Sequence, residues 1–544
     1  MASFSGSDLN LFRERMLEHG FLPEGLPPVF RIENLHEASL KPVSEGFYLT
    51  EKPTECCKFS ASKRGGQRRT FSIPNPICAV DLAIFFSKHE RQIEEHLQLS
   101  TVAQSQPLFS INTGLRPIQI SSFQEFHRTR RTELSQSRYI VRTDISRFFH
   151  SIYTHTIPWA LHGKSLAKKD RSPKSDDNFG NALDWIIRQA QDGQTVGIPV
   201  GPDFSRIVSE VIATAIDRDF GKKHGHDIPY TRLVDDIFIG ADNIDEANSY
   251  LRSLRDSIQS YELDINESKT SIIDASADIE PYWPVEIRRE LDLFSECGVN
   301  FRSKSDFTHL LDEILRLSTN NRDDGIIKYS IKQIDKIQLW TKFWDILEPF
   351  LFRIAINFPH CWEYIAKVAS WRSRTSSLDS KRWQSVIHRS ALRHASSGND
   401  FEVAWALWLL KEIAQPVDQD LLSEVLRKCG PIPCMLVLDI HRNVGSSYKF
   451  PKEELVLRLG EKPMTGSNWM LAYEADRQFG IKIKTKNLQG NDFFRQMYDD
   501  DVSFYDSEAI PQPFKGADSD QDVIFAIEST SRLYDDLEEN EITT

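Results

Sequence analysis

Two aspartates interrupt a run of strand-forming residues near the middle of the chain. Residues 230–234 (Tyr-Thr-Arg-Leu-Val) and 237–239 (Ile-Phe-Ile) have β-strand composition, and only Asp235 and Asp236 separate them. Two strands joined by two residues predict a tight hairpin with both acids at its tip. Turns favour aspartate for local reasons, so the pair alone is weak evidence of a site. Between apolar strands, however, adjacent like charges are costly without a cation, which favours metal binding.

A third aspartate ends another strand-like segment. Residues 139–145 are rich in β-branched side chains and include Asp144. If this strand pairs with the hairpin, three carboxylates converge on one place. Phosphoryl transfer to a hydroxyl is commonly assisted by two divalent ions, and Mg²⁺ prefers hard carboxylate oxygens. The pattern therefore predicts a site for two Mg²⁺ ions, with Mn²⁺ as the other candidate.

A glycine- and proline-rich turn lies between these acids. Residues 197–205 (Gly-Ile-Pro-Val-Gly-Pro-Asp-Phe-Ser) lead into a helical pattern over 204–220. Glycine lets the backbone approach a nucleotide closely, although an ordinary helix-capping turn is the alternative. Further upstream, Lys63 and Arg64 lie on a loop before a β run that starts with Arg69. These bases predict a clamp for a triphosphate.

The net charge of −13 argues against a nucleic-acid enzyme until its distribution is considered. Residues 498–544 hold 14 acidic and two basic residues, so the rest of the chain is nearly neutral. Its bases are clustered, and phosphate contacts are local, so the clusters predict nucleic-acid binding. The three clusters are Lys58, Lys63, Arg64, Arg68 and Arg69; Arg128, Arg130, Arg131, Arg138, Arg142 and Arg147; and Lys164, Lys168, Lys169, Arg171 and Lys174.

Other features of the sequence concern location. No stretch of 18 apolar residues occurs, and the first ten residues carry neither a basic nor an apolar segment. We therefore expect neither a membrane span nor a signal peptide. The seven cysteines form no CxxC pair, which favours a reducing, cytoplasmic location without a zinc ribbon or a disulfide framework.

The composition also divides the chain. Between residues 301 and 440 there are three glycines and seven of the eleven tryptophans, and segments such as 337–352 and 401–414 are long, apolar and helical in pattern. Tryptophans in such segments lie in a core more often than they stack on bases. Four regions are predicted: an N-terminal arm over 1–55, a region of alternating helices and strands over 56–285, a HEAT-like helical domain over 286–497, and an acidic tail over 498–544.

The order and spacing of these pieces resemble the reverse-transcriptase family. The matching segments are 69–74 with the fingers strand, 144–149 with motif A, 197–205 with motif B, 233–236 with motif C and 263–270 with motif D. The resemblance implies an α+β fold, in which a palm and fingers precede an all-α, helical-repeat-like C-terminal domain. It implies nucleotidyl transfer, with Phe149 excluding a 2′ hydroxyl and so selecting dNTPs. The implied metal-binding residues are Asp144, Ile145, Asp235 and Asp236. The implied nucleotide-binding residues are Lys63, Arg64, Arg69, Phe149, Pro199, Val200, Gly201 and Lys269.

A narrower resemblance follows motif A. Residues 149–159 (Phe-His-Ser-Ile-Tyr-Thr-His-Thr-Ile-Pro-Trp) and 162–164 (His-Gly-Lys) resemble the abortive-infection polymerases of bacterial antiphage defence, AbiK type. That family implies a homo-oligomer, as a trimer or hexamer, and untemplated DNA synthesis primed by a protein hydroxyl. Val200 fits this reading, because reverse transcriptases usually carry glutamine there and valine cannot hydrogen-bond to a nucleotide.

Two other functions stay open. The chain would also suit a templated reverse transcriptase that copies an associated non-coding RNA. A non-catalytic RNA-binding scaffold is the third interpretation, although the complete set of aspartates argues against it. A protein primer needs an accessible hydroxyl, and no motif selects among the candidates Tyr48, Tyr498, Tyr505 and Tyr534.

Overall fold

The computed structural model describes residues 6–40, 50, 52–110, 116–225, 227–277, 282–296, 303–481 and 492–510. Its first part combines helices with two small antiparallel hairpins. The elements are α1 (Gly6–Glu18), α2 (Leu35–Leu40), β1 (Cys57–Ser62), β2 (Arg68–Ile73), α3 (Pro76–Leu97), β3 (Leu108–Phe109), β4 (Ile118–Gln119) and α4 (Phe123–Glu133).

The β1–β2 hairpin is the predicted fingers strand with its partner. Cys57 pairs with Ile73 and Ser62 with Arg68 in antiparallel register. Along β1, Cys57, Phe59 and Ala61 are buried, whereas Lys58 points to solvent. This alternation is what a strand with one buried face requires. The loop at the tip includes Gly65 and Gly66, whose positive φ angles favour glycine.

A four-stranded sheet forms the palm. Its order is β6-β7-β5-β8, and the neighbouring strands are antiparallel. The elements are β5 (Tyr139–Asp144), α5 (Phe148–Ser151), α6 (Thr156–His162), α7 (Lys164–Lys169), α8 (Gly180–Gln189), α9 (Asp203–His224), β6 (Tyr230–Leu233), β7 (Asp236–Ala241), α10 (Ile244–Gln259) and β8 (Ser271–Asp274). The predicted hairpin with acids at its tip and the predicted helix over 204–220 are therefore confirmed.

Helices pack on both faces of the palm sheet. Helix α10 contacts β5 and β7 and also packs against α9. On the other face, α4 builds a small separate core in which Phe126 lies 6.0 Å from Phe238, centroid to centroid. Covering both faces leaves the ends of the central strands, where the aspartates lie, as the place that a ligand reaches.

The rest of the chain is helical. The helices are α11 (Trp283–Glu296), α12 (Lys304–Asn321), α13 (Gly325–Lys336), α14 (Trp344–Asn357), α15 (Trp362–Thr375), α16 (Ser380–Ala395), α17 (Asp400–Glu412), α18 (Gln419–Lys428), α19 (Pro431–Asp439), α20 (Lys452–Leu459), α21 (Trp469–Arg477) and α22 (Asp492–Asp499). Helix α17 is apolar all round because it lies between α15, α16 and α19 and also packs on β1. Trp405 and Trp408 on it are fully buried, so the core role predicted for these tryptophans is confirmed. In the described part of the chain, no helix combines the length and hydropathy that a membrane crossing needs.

The prediction of one helix over 337–352 was wrong. Helix α13 ends at Lys336, Gln338 has a left-handed backbone, and α14 starts only at Trp344. The indole N–H of Trp340 donates to Asp335 across this corner at 3.1 Å. Trp340 and Phe343 are both buried at the corner. The apolar pattern that suggested a continuous helix thus reflects a buried turn.

Both ends of the described chain join the core. Phe21, in the N-terminal arm, packs against Trp469 and Phe504. Phe504 and Tyr505 belong to the predicted acidic tail, yet they are buried, and Glu33 pairs with Ser503 in an isolated bridge. The packed body therefore includes residues 498–510, because apolar side chains alternate with the acids there.

Candidate active site

The strand register of the palm brings the three predicted acids together. Asp144 is the last residue of β5 and lies opposite Asp236, the first residue of β7. Asp235 occupies the turn between β6 and β7, and its carbonyl accepts the N–H of Ile145 at 3.3 Å. Burial, together with the negative charges of Asp235 and Asp144, raises the pKa of Asp236 to about 8. The site thus concentrates more negative charge than its own surroundings neutralise.

The donor set at this place fits divalent cations. Asp144 is 5% exposed, and its Oδ1 atom is buried without a hydrogen-bond partner in the described part of the chain. Its Oδ2 atom lies 2.9 Å from Nζ of Lys269. An unsatisfied carboxylate oxygen beside two further aspartates is what a hard cation such as Mg²⁺ would satisfy. The three aspartates line one cavity, but as the side chains stand, the described residues contain no group of three or more His, Cys, Asp or Glu arranged as a metal cage.

Ile145 was predicted to bind the metal ions, and Lys269 was predicted to bind the nucleotide. The Ile145 side chain is 1% exposed and apolar, so only its backbone carbonyl has the chemistry of a metal ligand. Lys269 ends a short 3₁₀ segment, Glu267–Lys269, whose approach to β5 is fixed by a 2.7 Å hydrogen bond between the hydroxyls of Thr143 and Thr270. The structure places the Lys269 ammonium at the carboxylates.

A cavity of about 580 Å³ opens over the aspartates, between the fingers hairpin and the palm. It receives residues from all of the matched segments. The predicted residues on its lining are Lys63, Arg69, Asp144, Ile145, Phe149, Val200, Asp235, Asp236 and Lys269. Tyr48, Tyr534 and the side chain of Arg64 lie outside the described residues.

Backbone hydrogen bonds lock the walls of this cavity to one another. The N–H of Ile198 donates to the carbonyl of Phe149 at 2.8 Å, which joins the motif B turn to α5. The N–H of Ser72 on β2 donates to the carbonyl of Val200 at 2.9 Å. The turn therefore bridges the palm and the fingers, and it presents Phe149 and Val200 to the same space.

Pro199 and Gly201, two of the predicted nucleotide-binding residues, make their contacts away from the cavity lining. Of the described residues that line the cavity, none is Pro199 or Gly201. The carbonyl of Pro199 accepts the Ser205 hydroxyl, which caps the turn internally. Gly201 has φ +118°, and a Cβ atom there would lie 2.5 Å from Pro23 in the N-terminal arm. The close approach that Gly201 permits in the structure is that of Pro23, and its contact with a nucleotide stays a prediction.

Several basic residues of the cavity were not predicted as nucleotide-binding. Arg147 and Arg206 join Lys63 and Arg69 on its lining. Arg206 directly follows the motif B turn, and Glu24 of the N-terminal arm holds its guanidinium at 2.9 Å. Burial and the cations Arg147, Arg69, Lys58 and Lys63 lower the pKa of His150, which also lines the cavity. The wall facing the aspartates is thus positive and suits a polyphosphate.

The two described primer candidates are engaged elsewhere. The Tyr505 hydroxyl is buried and donates to Asp439 at 2.5 Å. The Tyr498 hydroxyl donates to Asp476 at 2.5 Å. Burial and these carboxylates raise the pKa of both phenols. Neither hydroxyl belongs to the cavity over the aspartates.

Comparison with known proteins agrees with this geometry. Residues 67–287 match the family model described as reverse transcriptase (RNA-dependent DNA polymerase). This range holds β2, the motif B turn and all three aspartates. No curated relative matches the sequence.

Solved structures with some similarity are telomerases. One is telomerase from Candida albicans in complex with a fragment of telomeric RNA, at 10% identity and a TM-score of 0.25, over 74% of this chain and 65% of that protein. Another is apo telomerase from Candida tropicalis, at 12% identity and a TM-score of 0.30, over 86% of this chain and 70% of that protein. The chain therefore spans about 65% of the length of the Candida albicans protein that it matches. Members of that family are RNA-dependent DNA polymerases, which are nucleotidyltransferases. The family match and the site geometry together identify residues 67–287 as a reverse transcriptase domain.

Proposed function

We propose that this protein is a DNA polymerase of reverse-transcriptase type that adds dNTPs without a template, onto a hydroxyl of a protein, in bacterial antiphage defence in the cytoplasm. The observation that carries the proposal is the cavity in which Asp144, Phe149 and Val200 meet. Each of these residues supports one part of it. The resemblance of residues 149–164 to abortive-infection polymerases supports the defence role.

The chemistry follows from the carboxylates and the positive wall. Bound Mg²⁺ ions, held by Asp144, the Ile145 carbonyl, Asp235 and Asp236, would activate the attacking hydroxyl and stabilise the leaving group. Lys63, Arg69 and Lys269 hold the triphosphate by charge. The hydroxyl oxygen bonds to the α-phosphorus and loses its proton, while the bond to the β-phosphate breaks and pyrophosphate leaves.

Phe149 supports the use of dNTPs. Its ring packs against Phe148 with the centroids 5.7 Å apart, and its carbonyl is held by Ile198. The hydrogen bond fixes the backbone of Phe149, and the contact with Phe148 restricts its ring, so the ring would collide with an extra hydroxyl on the sugar. Ribonucleotides are therefore excluded by steric conflict at the 2′ position.

Val200 supports synthesis without a template. Its side chain is 4% exposed and apolar, and its carbonyl is already used by Ser72. It offers no hydrogen bond that would check a base against a template strand. The enzyme would then choose nucleotides by shape and stacking, which read sequence poorly.

The remaining parts of the chain take supporting roles in the proposal. Residues 56–285 carry the chemistry, the HEAT-like region 286–497 holds the fingers and mediates homo-oligomer formation as a trimer or hexamer, and 1–55 and 498–544 flank them. The primer hydroxyl would belong to a residue other than Tyr498 and Tyr505, since both are bound to carboxylates. Light scattering on the full chain tests the assembly, and a strict monomer would contradict it.

The decisive experiment is incubation of the full chain with each labelled dNTP and Mg²⁺ in the absence of nucleic acid. We expect a labelled protein band that migrates more slowly and that a nuclease shortens, with D235A as the inactive control. Sequencing of the product separates the main alternative. A product complementary to a co-purifying non-coding RNA would instead establish a templated reverse transcriptase. Defence that persists in D235A would favour an RNA-binding scaffold.

A further inference from the structure

The turn that carries the aspartates contains a valine in a backbone conformation that is unfavourable for this residue type. Val234, directly before Asp235, has φ +54°. Nine residues other than glycine have positive φ in the part of the chain that the structure describes, and Val234 is the β-branched one. Branching at Cβ makes the left-handed region especially unfavourable. Such conformations persist where the surroundings enforce them, and they cluster at functional sites.

Side chains hold both backbone polar groups of Val234. Its N–H donates to Oγ of Ser105 at 2.7 Å. Its carbonyl accepts from Nη1 of Arg232 at 2.8 Å. These two contacts grip the strained residue from both sides and so define the direction in which the chain enters Asp235.

Both gripping side chains are anchored to α9, the helix that follows the motif B turn. Arg232 is 1% exposed, and its guanidinium lies 2.5 Å from Glu210 and 2.7 Å from Asp217. The Ser105 hydroxyl donates to Glu210 at 3.0 Å. The position of the strained turn is therefore fixed by contacts with a long, buried helix.

The loop that carries Ser105 is itself aligned with β6. The N–H of Gln104 donates to the carbonyl of Arg232 at 2.7 Å, and the N–H of Arg232 donates to the carbonyl of Val102 at 3.1 Å. Ser105, Glu210 and Val234 all line the cavity that contains the aspartates. A shift of Ser105 or Arg232 would therefore displace the carboxylates of Asp235 and Asp236 within the cavity.

We infer that Ser105 and Arg232 are positioning residues for nucleotidyl transfer, which hold Val234 in its strained conformation so that Asp235 and Asp236 face the metal site. The inference rests on the proposed polymerase function. An ion pair used only for stability would not need its guanidinium to donate to the carbonyl of the residue directly before the catalytic acids, with a serine accepting the N–H of that same residue.

Ser105→Ala is the informative variant, because truncation of Arg232 leaves Glu210 and Asp217 buried without a cation and threatens folding. The matched control is Ser100→Ala, which removes a hydroxyl that donates at 2.7 Å to Asp217, a carboxylate of the same cluster, without a contact to Val234. Val234→Gly supplies the rescue, since glycine adopts positive φ without steric cost.

Two readouts are measured on the full chain: dNTP incorporation, both without nucleic acid and on a poly(rA)–oligo(dT) duplex, and the Mg²⁺ concentration that half-saturates the rise in Tm. For Ser105→Ala we expect the Mg²⁺ requirement to rise about tenfold in both readouts. This is the low end of the loss of metal affinity that follows mutation of residues supporting the metal ligands. Ser100→Ala keeps the wild-type Mg²⁺ requirement. Adding Val234→Gly to Ser105→Ala recovers most of the loss.

The inference is overturned if Ser105→Ala changes the Mg²⁺ requirement no more than Ser100→Ala does, or if Val234→Gly fails to improve Ser105→Ala. Failure of the proposed function is distinguishable, because an inactive wild type would still report Mg²⁺ binding through its Tm.

Discussion

The ion pair between Arg68 and Glu402 is one of the contacts that tie the fingers hairpin to the helical half, and its removal gives a quantitative test of how that half supports the active site. Arg68 on β2 contacts Glu402 on α17 through two hydrogen bonds of 2.8 and 3.0 Å. The Glu402 side chain is 1% exposed, whereas that of Arg68 is 29% exposed. Losing the arginine therefore strands a carboxylate away from water, but losing the carboxylate leaves a guanidinium that water reaches.

This asymmetry sets the expected magnitudes. Arg68→Ala should lower the free energy of unfolding by about 3 kcal/mol, since it leaves a buried charge unpaired. Glu402→Ala should cost about 2 kcal/mol, and the double variant should reveal a coupling of about 2 kcal/mol between the two side chains. Because Arg68 and its neighbour Arg69 line the cavity, Glu402→Ala should also raise the KM for dNTP more than it lowers kcat.

Urea unfolding followed by tryptophan fluorescence measures these energies, because Trp405 and Trp408 lie on the same helix as Glu402. The exposed pair Arg316–Glu313 in the helical half is the matched control, and its coupling should not exceed about 0.5 kcal/mol. The reasoning is refuted if Glu402→Ala costs more than Arg68→Ala, or if their coupling equals that of the control pair.

Three further results are expected. Asp235→Asn should reduce dNTP incorporation by more than about 100-fold with an unchanged circular dichroism spectrum, since loss of a metal ligand exceeds the roughly 10- to 100-fold cost of losing an outer-sphere partner; activity within tenfold of wild type would contradict its metal role. Phe149→Ala should raise ribonucleotide use relative to dNTP use by about tenfold or more in a single-nucleotide competition, and an unchanged ratio would remove the steric argument. Burial raises the pKa of Glu474 to about 7 in the folded protein. The carboxyl therefore ionises first in the unfolded chain, so the free energy of unfolding should fall by on the order of 3 kcal/mol relative to Glu474→Gln as pH rises from about 4.5 to 7. A constant difference between the two urea midpoints over that range would show that Glu474 does not titrate there.

Local patterns were sufficient for the centre of the site. The β-strand composition of residues 139–145 and 230–239 predicted β5, β6 and β7, and the two-residue separation of the last two predicted their turn. Helical spacing of the apolar residues predicted α9, and the long apolar segment over 401–414 predicted α17. These features depend on side chains close together in the sequence, where backbone geometry alone decides which of them share a face.

The features that the sequence did not predict lie where distant chain segments compete for the same space. Gly201 has the composition of a ligand loop, but Pro23 occupies the space beside it. The segment 337–352 has the composition of a helix, but burying Trp340 and Phe343 at one corner required a turn. The segment from residue 498 onward is acidic in composition, yet Phe504 and Tyr505 within it are buried in the core.

By itself, the sequence determined that three aspartates lie at the end of one strand and at the turn of a hairpin in a palm, and that an apolar helical region follows. Only the tertiary structure decided what holds those aspartates. Lys269 reaches Asp144, Glu402 holds the fingers through Arg68, and Ser105 grips Val234 from 129 positions away along the chain. The physical reason is that strand pairing and helix periodicity are encoded by near neighbours, whereas hydrogen bonds and ion pairs between distant segments depend on which surfaces the completed core brings into contact.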